Sequence, residues 1–317
     1  MFAFIVKRVL WFIPTILAVA AVTFVCMNLT PGSPFQPAGA NNLREDIIKQ
    51  IEKQYGLDKP MPVRFVIYLS KAVRGDFGES YSRRPQKVND IIRRGFPVSL
   101  QLGAMALAMA TVGGLALGIL SAVNQNGIID YISATLAILM FSVPSFVLGI
   151  LLLILFVIWI PDWTGWRYFR VGGWESPRDW ILPTIALGAG PLAQLARYTR
   201  SSMIDVIRSD YVRTARAKGL AERKVILKHV LKNALIPVVT LIGPLFAALG
   251  TGSFFVEQVF RVPGIGVHFV TSMSTKDHPM IMAVVLLYGG FLAVMNLMVD
   301  IMYGVIDPRI RLSGREG

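Results

Sequence analysis

The stretch DYVRTARAKGLAERKVILKHVLKN, residues 210–233, holds seven Lys or Arg against two acids in a chain that is otherwise oily. Cationic groups at this density bind anions: nucleic-acid phosphates, anionic lipid headgroups or an acidic protein surface. Elsewhere the groups able to do chemistry are scattered. Histidines stand at 229, 268 and 278, the single cysteine is Cys26, and no Cys or His cluster has metal-ligand spacing. No G-x-x-x-x-G-K-[ST] stretch occurs, so the chain carries no Walker-type nucleotide site. No catalytic constellation is visible, and the question becomes what the basic stretch is attached to.

The 317 residues are 54% hydrophobic and only 16% charged, with a mean hydropathy of +0.57. A soluble domain usually carries about a quarter charged residues. Crossing a bilayer core of about 30 Å takes roughly 20 apolar residues per helix. Six runs qualify approximately, at 9–30, 97–123, 131–160, 181–196, 234–256 and 280–299, and none contains Asp, Glu, Lys, Arg or His. The first follows Lys7 and Arg8 and includes a small-x-small site at Ala18-Val19-Ala20, yet it continues to Leu29, longer than a signal-peptide core. It reads as an uncleaved helix, with Cys26 as a small packing residue. The fold class expected is an all-α integral membrane protein with six transmembrane helices.

Six crossings put both termini on one side. Lys and Arg number two before the first run, ten in 197–233 and three after Asp307, against three in 161–180 and two in 257–279. Positive-inside bias therefore places both termini and the basic stretch in the cytoplasm. The twelve cations of 31–96 lie on the other side, in a loop long enough to escape that bias. The chain then divides into 1–30, a tail with the first helix; 31–96, an extracytoplasmic helical segment; 97–306, a membrane core that includes 197–233; and a cytoplasmic tail, 307–317.

Within 31–96, Asn42-Leu43-Arg44-Glu45 reads as a helix cap ahead of Ile47, Ile48, Ile51 and Tyr55, with Gly56 as the stop. A second amphipathic piece places Phe65, Val66, Leu69 and Val73 on one stripe. In the second run, Gly114 and Gly118 fall one turn apart and invite close helix packing. Prolines at 144, 183, 191, 237 and 244 interrupt helical hydrogen bonding in or beside later runs. The charge-free cores argue against an intramembrane enzyme or a proton-coupled carrier, which place polar groups at membrane depth. Energy for any uphill transport would enter through a partner.

The basic stretch reads as a helical hairpin. One short helix covers 210–218, Gly219 is a left-handed stop, and a second helix begins near Ala221. Ile226, Leu227, Val230, Leu231, Ala234 and Leu235 form an apolar stripe, while Lys224, Lys228 and Lys232 align at i, i+4 and i+8 on another side. Nucleic acid is disfavoured because the stretch is short, has one aromatic residue and is tethered to a membrane chain. Contact with lipid explains the charge but requires neither Gly219 nor so long a segment. Docking onto a cytoplasmic protein accounts for both.

Residues 213–220, Arg-Thr-Ala-Arg-Ala-Lys-Gly-Leu, followed by His229-Val230-Leu231 and Asn233-Ala234-Leu235, resemble the cytoplasmic coupling segment of peptide-type ABC importer permeases. The resemblance extends to Pro31-Gly32-Ser33-Pro34, Gly75-Asp76-Phe77-Gly78, Phe96-Pro97-Val98-Ser99, Pro263-Gly264-Ile265-Gly266 and Ile306-Asp307-Pro308-Arg309-Ile310-Arg311. It is nearest the B-type transmembrane subunit of oligopeptide permeases. The general importer pattern has Glu-Ala-Ala where this chain has Arg213, Thr214 and Ala215, a departure shared by the peptide group. It also has a proline where Lys232 stands, and Pro237 could set that bend instead.

The resemblance implies a type I importer permease fold and a transporter subunit rather than an enzyme. The chain itself would bind no cofactor, and ATP and Mg would sit in partner ATPase chains. Contact with those chains would fall on Asp210, Arg213, Thr214, Ala215, Arg216, Lys218, Gly219, Leu220, Arg223, Lys224 and Lys228. Glu257, Pro263, Gly264 and Gly266 are the candidates for a substrate pathway. Implied partners are a homologous second permease, two ATPase subunits and an extracytoplasmic peptide-binding protein, with membrane lipid around them. Oligopeptides are the expected cargo, favoured by the short 161–180 loop; dipeptides, glutathione and nickel chelates belong to related systems. A membrane scaffold that recruits a cytoplasmic protein and moves nothing is the contrasting class.

Overall fold

The computed structural model describes residues 2–31, 35, 45–83, 85–250 and 253–306. Gly32-Ser33-Pro34, Asn42-Leu43-Arg44 and Asp307 to Arg311 lie outside the described residues. Among those described, the regular structure is helical, with no strand and one isolated antiparallel bridge between Glu79 and Lys87.

Helices α1 (Phe2–Leu29) and α2 (Glu45–Gln54) precede α3 (Met61–Val73), which follows Pro60 and carries Pro62 in its first turn, where a missing amide costs nothing. Helix α4 (Val88–Val123) carries the second apolar run and passes through Pro97 without ending. The third run is divided. Helix α5 (Ile128–Ser142) stops ahead of Pro144, and α6 (Ser145–Leu153) continues through a π-helical turn at Ile154–Trp159 into α7 (Ile160–Thr164). Helix α8 (Pro177–Ile207) opens on a capping box between Ser176 and Asp179 and bears the fourth run. The basic stretch forms α9 (Asp210–Ala217), α10 (Glu222–Lys224), a π-helical turn at Val225–Val230 and α11 (Leu231–Ala234). Then come α12 (Ile236–Gly250), α13 (Phe254–Val259), α14 (Ile265–Thr275) and α15 (His278–Ile306).

Among the described residues each apolar run falls mainly on helix. By length and apolarity, Ile5–Leu29, Val88–Val123, Ser145–Thr164 and His278–Ile301 can cross a membrane, and Glu222–Ala234 with Ile236–Gly250, bent by 50°, makes a fifth if the pair is one span. The fourth run sits inside a helix that also bears Arg197, Arg200 and Asp205.

The chain forms two compact units. The first comprises Met1–Ser99 and Pro263–Leu297, so the 31–96 segment groups with α1, α14 and most of α15. Its core joins Ala20, Phe24 and Met27 to Ile281 and Met282, with Met61, Phe65 and Tyr68 of α3 packed against them. The Phe24 and Phe65 rings lie 5.2 Å apart. That aromatic contact sets the rotation of α3 and corrects the expected stripe: Phe65 turns inward, while Val66 and Val73 are exposed. Cys26 is likewise exposed rather than packed. Buried Asp277 ties the 80–82 loop to the start of α15, accepting hydrogen bonds from Ser80 Oγ, from Ser82 Oγ at 2.9 Å and from the Met280 amide at 3.3 Å.

The second unit, Leu100–Val262 with Met298–Gly317, is organised on α8. Gly114 and Gly118 let α4 approach it. A Cβ on Gly114 would stand 2.7 Å from Leu195 Cβ, and one on Gly118 would stand 2.6 Å from the Ala196 carbonyl oxygen. The glycine pair is therefore used within the chain. Two arginine–carboxylate pairs bracket α8. Near its start, Asp179 accepts from Arg170 Nε at 2.8 Å and Nη2 at 2.7 Å. Near its end, Arg200 donates to Asp130. At 1.5 Å per residue, Asp179 and Arg200 stand about 31 Å apart along the helix, the thickness of a bilayer core.

Candidate functional site

The basic stretch folds as a hairpin with an oily inside and a charged outside. Ser209 precedes α9 in an extended conformation, and Asp210 opens the first turn, where a carboxylate suits the positive end of the helix. After Lys218 the backbone enters the left-handed region at Gly219, φ +75°. The Gly219 amide donates to the Arg216 carbonyl at 2.9 Å and the Leu220 amide to the Ala215 carbonyl at 3.4 Å, which closes the helix end. A Cβ on Gly219 would meet nothing within 4 Å. The dihedral, not crowding, is what requires glycine there.

Across this turn Arg216 grips Glu222 with two hydrogen bonds, Nε–Oε2 at 3.1 Å and Nη2–Oε1 at 2.7 Å. The Arg216 guanidinium holds the Glu222 carboxyl below its ordinary range. At the far end, Asn233 Nδ2 donates to Tyr211 Oη at 2.8 Å, and Ser202 Oγ of α8 donates to the Ala234 carbonyl at 2.8 Å. The inside is a single apolar cluster: Val212 and Ala215 of α9, Val225, Ile226 and Val230 of the π-helical turn, Ala234, Met203 and Ile204 of α8, and Ala122 of α4.

The expected apolar stripe needs one correction. Leu227 is 55% exposed and Val225 is fully buried. The π-helical turn fits more residues per turn than an α-helix, so it rotates Val225 inward and Leu227 outward.

Of the residues singled out from sequence, Asp210, Arg213, Thr214, Arg216, Lys218, Gly219, Arg223, Lys224 and Lys228 share the exposed side of the hairpin. Ala215 is buried in the cluster and Leu220 packs against it. The pathway candidates are placed differently. Glu257 is completely buried in α13. Gly264 and Gly266 are buried around the N-terminus of α14, where the Ile265 amide donates to Ser99 Oγ at 2.9 Å; Pro263 alone is exposed. Pro263-Gly264-Ile265-Gly266 thus docks on Phe96-Pro97-Val98-Ser99, and a Cβ on Gly95 would come within 3.1 Å of the Ile265 nitrogen.

Sequence reasoning missed Asp130 and Arg200. Asp130 is 4% exposed and accepts from Arg200 Nε at 2.6 Å, Arg200 Nη2 at 2.7 Å, the Asn126 amide at 2.9 Å and Ser121 Oγ. The Arg200 guanidinium keeps its carboxyl far below the usual carboxylate range. This cluster joins the end of α4, the 124–127 turn, α5 and α8 a few turns before the hairpin. A lone acid at the edge of an apolar run, with its partner far along the chain, leaves no local signal.

Residues 114–312 match the model of the binding-protein-dependent transport system inner membrane component, and residues 1–103 match the model of the N-terminal region of such components. The dipeptide transport system permease protein of Bacillus subtilis is 42% identical over 309 residues, covering 98% of each chain. The oligopeptide transport system permease protein of Escherichia coli K12 is 39% identical over 316 residues, covering 98% of this chain and all of that one. Among solved structures, a methionine ABC transporter in inward-facing conformations superposes with a TM-score of 0.51 at 16% identity, over 68% of this chain and 96% of that one. At that identity the likeness is one of fold.

Proposed function

The chain belongs to the family of binding-protein-dependent transport inner membrane components, and from that premise we propose that it is the transmembrane, pathway-forming subunit of an ATP-driven peptide importer. Oligopeptides are the main cargo. Relatives named for dipeptide and for oligopeptide transport both align along 98% of its length, so dipeptides fall within the same reading.

The observation that carries the reading is the hairpin: cationic and polar outside, apolar inside, with an inner cluster continuous with α8 and α4. A surface loop that only satisfied charge topology would need no such core. Here a push on α9 is delivered to packed membrane helices. The hairpin and both termini face the cytoplasm, where two ATPase subunits hold ATP and Mg and receive the exposed side of α9. A homologous second permease completes the pathway, and an extracytoplasmic binding protein delivers the peptide. ATP binding closes the ATPases, the hairpin relays that motion, and the pathway opens alternately to each side. This subunit performs no bond chemistry.

The test is to co-purify the tagged chain with its partners, reconstitute them in liposomes with a labelled oligopeptide and its binding protein, and measure uptake. Uptake that requires ATP hydrolysis is expected. Stable recruitment of cytoplasmic partners without ATP-dependent uptake would instead make the chain a scaffold.

A further inference from the structure

The third apolar run is broken about midway along its length. Helix α5 ends at Ser142, Val143 is extended with φ −88° and ψ 123°, and α6 restarts after Pro144. Proline has no amide hydrogen, so the Met140 carbonyl, four residues earlier, loses its usual helical donor. Helix α8 provides a depth gauge for the break. A cavity of about 330 Å³ beside it is lined by Phe141, Pro144 and Ser145 and, from α8, by Gly190, Pro191 and Gln194. Gly190 lies midway between Asp179 and Arg200, about 15 Å of helix from each. The break therefore lies about midway along the 131–160 run and level with the midpoint of α8 between its two ion pairs.

In the core of a bilayer lipid supplies no hydrogen bonds, and irregular backbone within an apolar run survives only when buried in protein or facing a watery cavity. Here Ser142 and Pro144 are exposed on this chain, and a Cβ on Gly190 would meet nothing within 4 Å. A second proline, Pro191, sits inside α8 directly across the cavity. Opposite the break, Pro191 thus removes one helical amide from the otherwise continuous α8, and the side chains lining the cavity include a hydroxyl and a carboxamide but no charge.

We propose that this break, Phe141 to Ser145 with Gly190 and Gln194 opposite, is a wall of the substrate pathway that contacts the peptide backbone of the cargo. The inference rests on the peptide-import reading. Ser145 and Gln194 each donate and accept hydrogen bonds, and the Met140 carbonyl accepts. A peptide backbone presents the matching amides and carbonyls in every sequence. No charged side chain lines the cavity, although the Arg197 guanidinium stacks on the Phe141 ring, 4.5 Å from its centroid, and hydrogen bonding to backbone groups does not select side-chain charge. Glu257, Gly264 and Gly266, buried as they are, do not share this cavity.

The test uses the assembled transporter in proteoliposomes on a Cys26→Ser background. Single variants Ser145→Cys, Gly190→Cys and Gln194→Cys are exposed to a membrane-impermeant thiol reagent, without nucleotide and in the ATP-trapped state. Leu195→Cys, fully buried beside Gln194, is the unreactive control. Labelling of at least two of the three in one state, slowed five-fold or more by saturating peptide, is expected. No labelling in either state, or labelling that peptide does not slow, overturns the proposal. ATP-driven uptake by the parent complex is measured separately. A parent that takes up no peptide refutes the import reading, whereas a transporting parent with unreactive cysteines refutes only the pathway wall.

Discussion

Removing the guanidinium of Arg200 isolates a buried carboxylate, and the structure sets the scale of the effect. Asp130 is 4% exposed and takes two of its hydrogen bonds from Arg200, at 2.6 and 2.7 Å. Breaking one partner of a buried pair costs about 3–5 kcal/mol. The Arg200 side chain is 34% exposed, so water can reach the site once it is removed, and Asp130 keeps Ser121 Oγ and the Asn126 amide. Both facts bring the expected loss for Arg200→Ala down to about 2–3 kcal/mol. Asp130→Asn keeps the shape and leaves an arginine that can turn to solvent, so its loss is smaller, about 1–2 kcal/mol. The double variant Asp130→Asn/Arg200→Ala then falls well short of the sum of its singles, because the second change removes a group the first has already stranded. Thermal unfolding of the purified chain in detergent, followed by tryptophan fluorescence, measures all four proteins. Additivity within about 0.5 kcal/mol would show that the two side chains do not act as a pair and refute this reasoning. In the assembled transporter, Arg200→Ala lowers peptide taken up per ATP hydrolysed, since the hairpin then moves less tightly with α4 and α5.

Three further outcomes follow from the geometry. At Gly219 the constraint is φ +75° with open space around it, so Gly219→Asn melts within about 0.5 kcal/mol of the parent, whereas Gly219→Val loses about 1–2 kcal/mol and co-purifies less ATPase. Gly118→Ala drives a methyl to 2.6 Å from the Ala196 carbonyl oxygen and lowers stability by about 1–3 kcal/mol, while Gly190→Ala, with nothing within 4 Å, leaves it unchanged or slightly raised; melting both variants side by side checks this. Burial, then the charge of Arg83, depresses His268 to about 4, against about 6.5 for a free imidazole. The unfolded chain takes up this proton first, so stability is full above about pH 6.5 and declines as pH falls toward 4. Comparing melting at pH 7.5 and pH 5 in the parent and in His268→Phe reveals a smaller drop in the variant.

Much of the hairpin is legible in the chain. Alternation of apolar and basic residues at helical spacing announces two amphipathic helices, and a glycine between them announces the stop, because only short-range sterics are involved. The register of the second helix was less legible: a π-helical turn costs little locally, and burial against Met203 and Ile204 selects it. Helix α3 shows the same limit. Phe65, Val66, Leu69 and Val73 fit one stripe on paper, and contact with Phe24 decides which of them turns inward.

What depends on composition and on neighbours along the chain was readable from the residues: a membrane protein, six apolar runs, the glycine turn, and a run of short motifs dense enough to identify its family. Tertiary structure decided what depends on residues distant in sequence meeting in space. It paired Asp130 with Arg200 and Asp179 with Arg170, seated Pro263-Gly264-Ile265-Gly266 on Ser99, and set the break at Pro144 opposite Pro191. Propensity and hydropathy act over a few residues and are written locally. Ion pairing and close packing act over a few ångströms, and the fold alone determines which residues those ångströms contain.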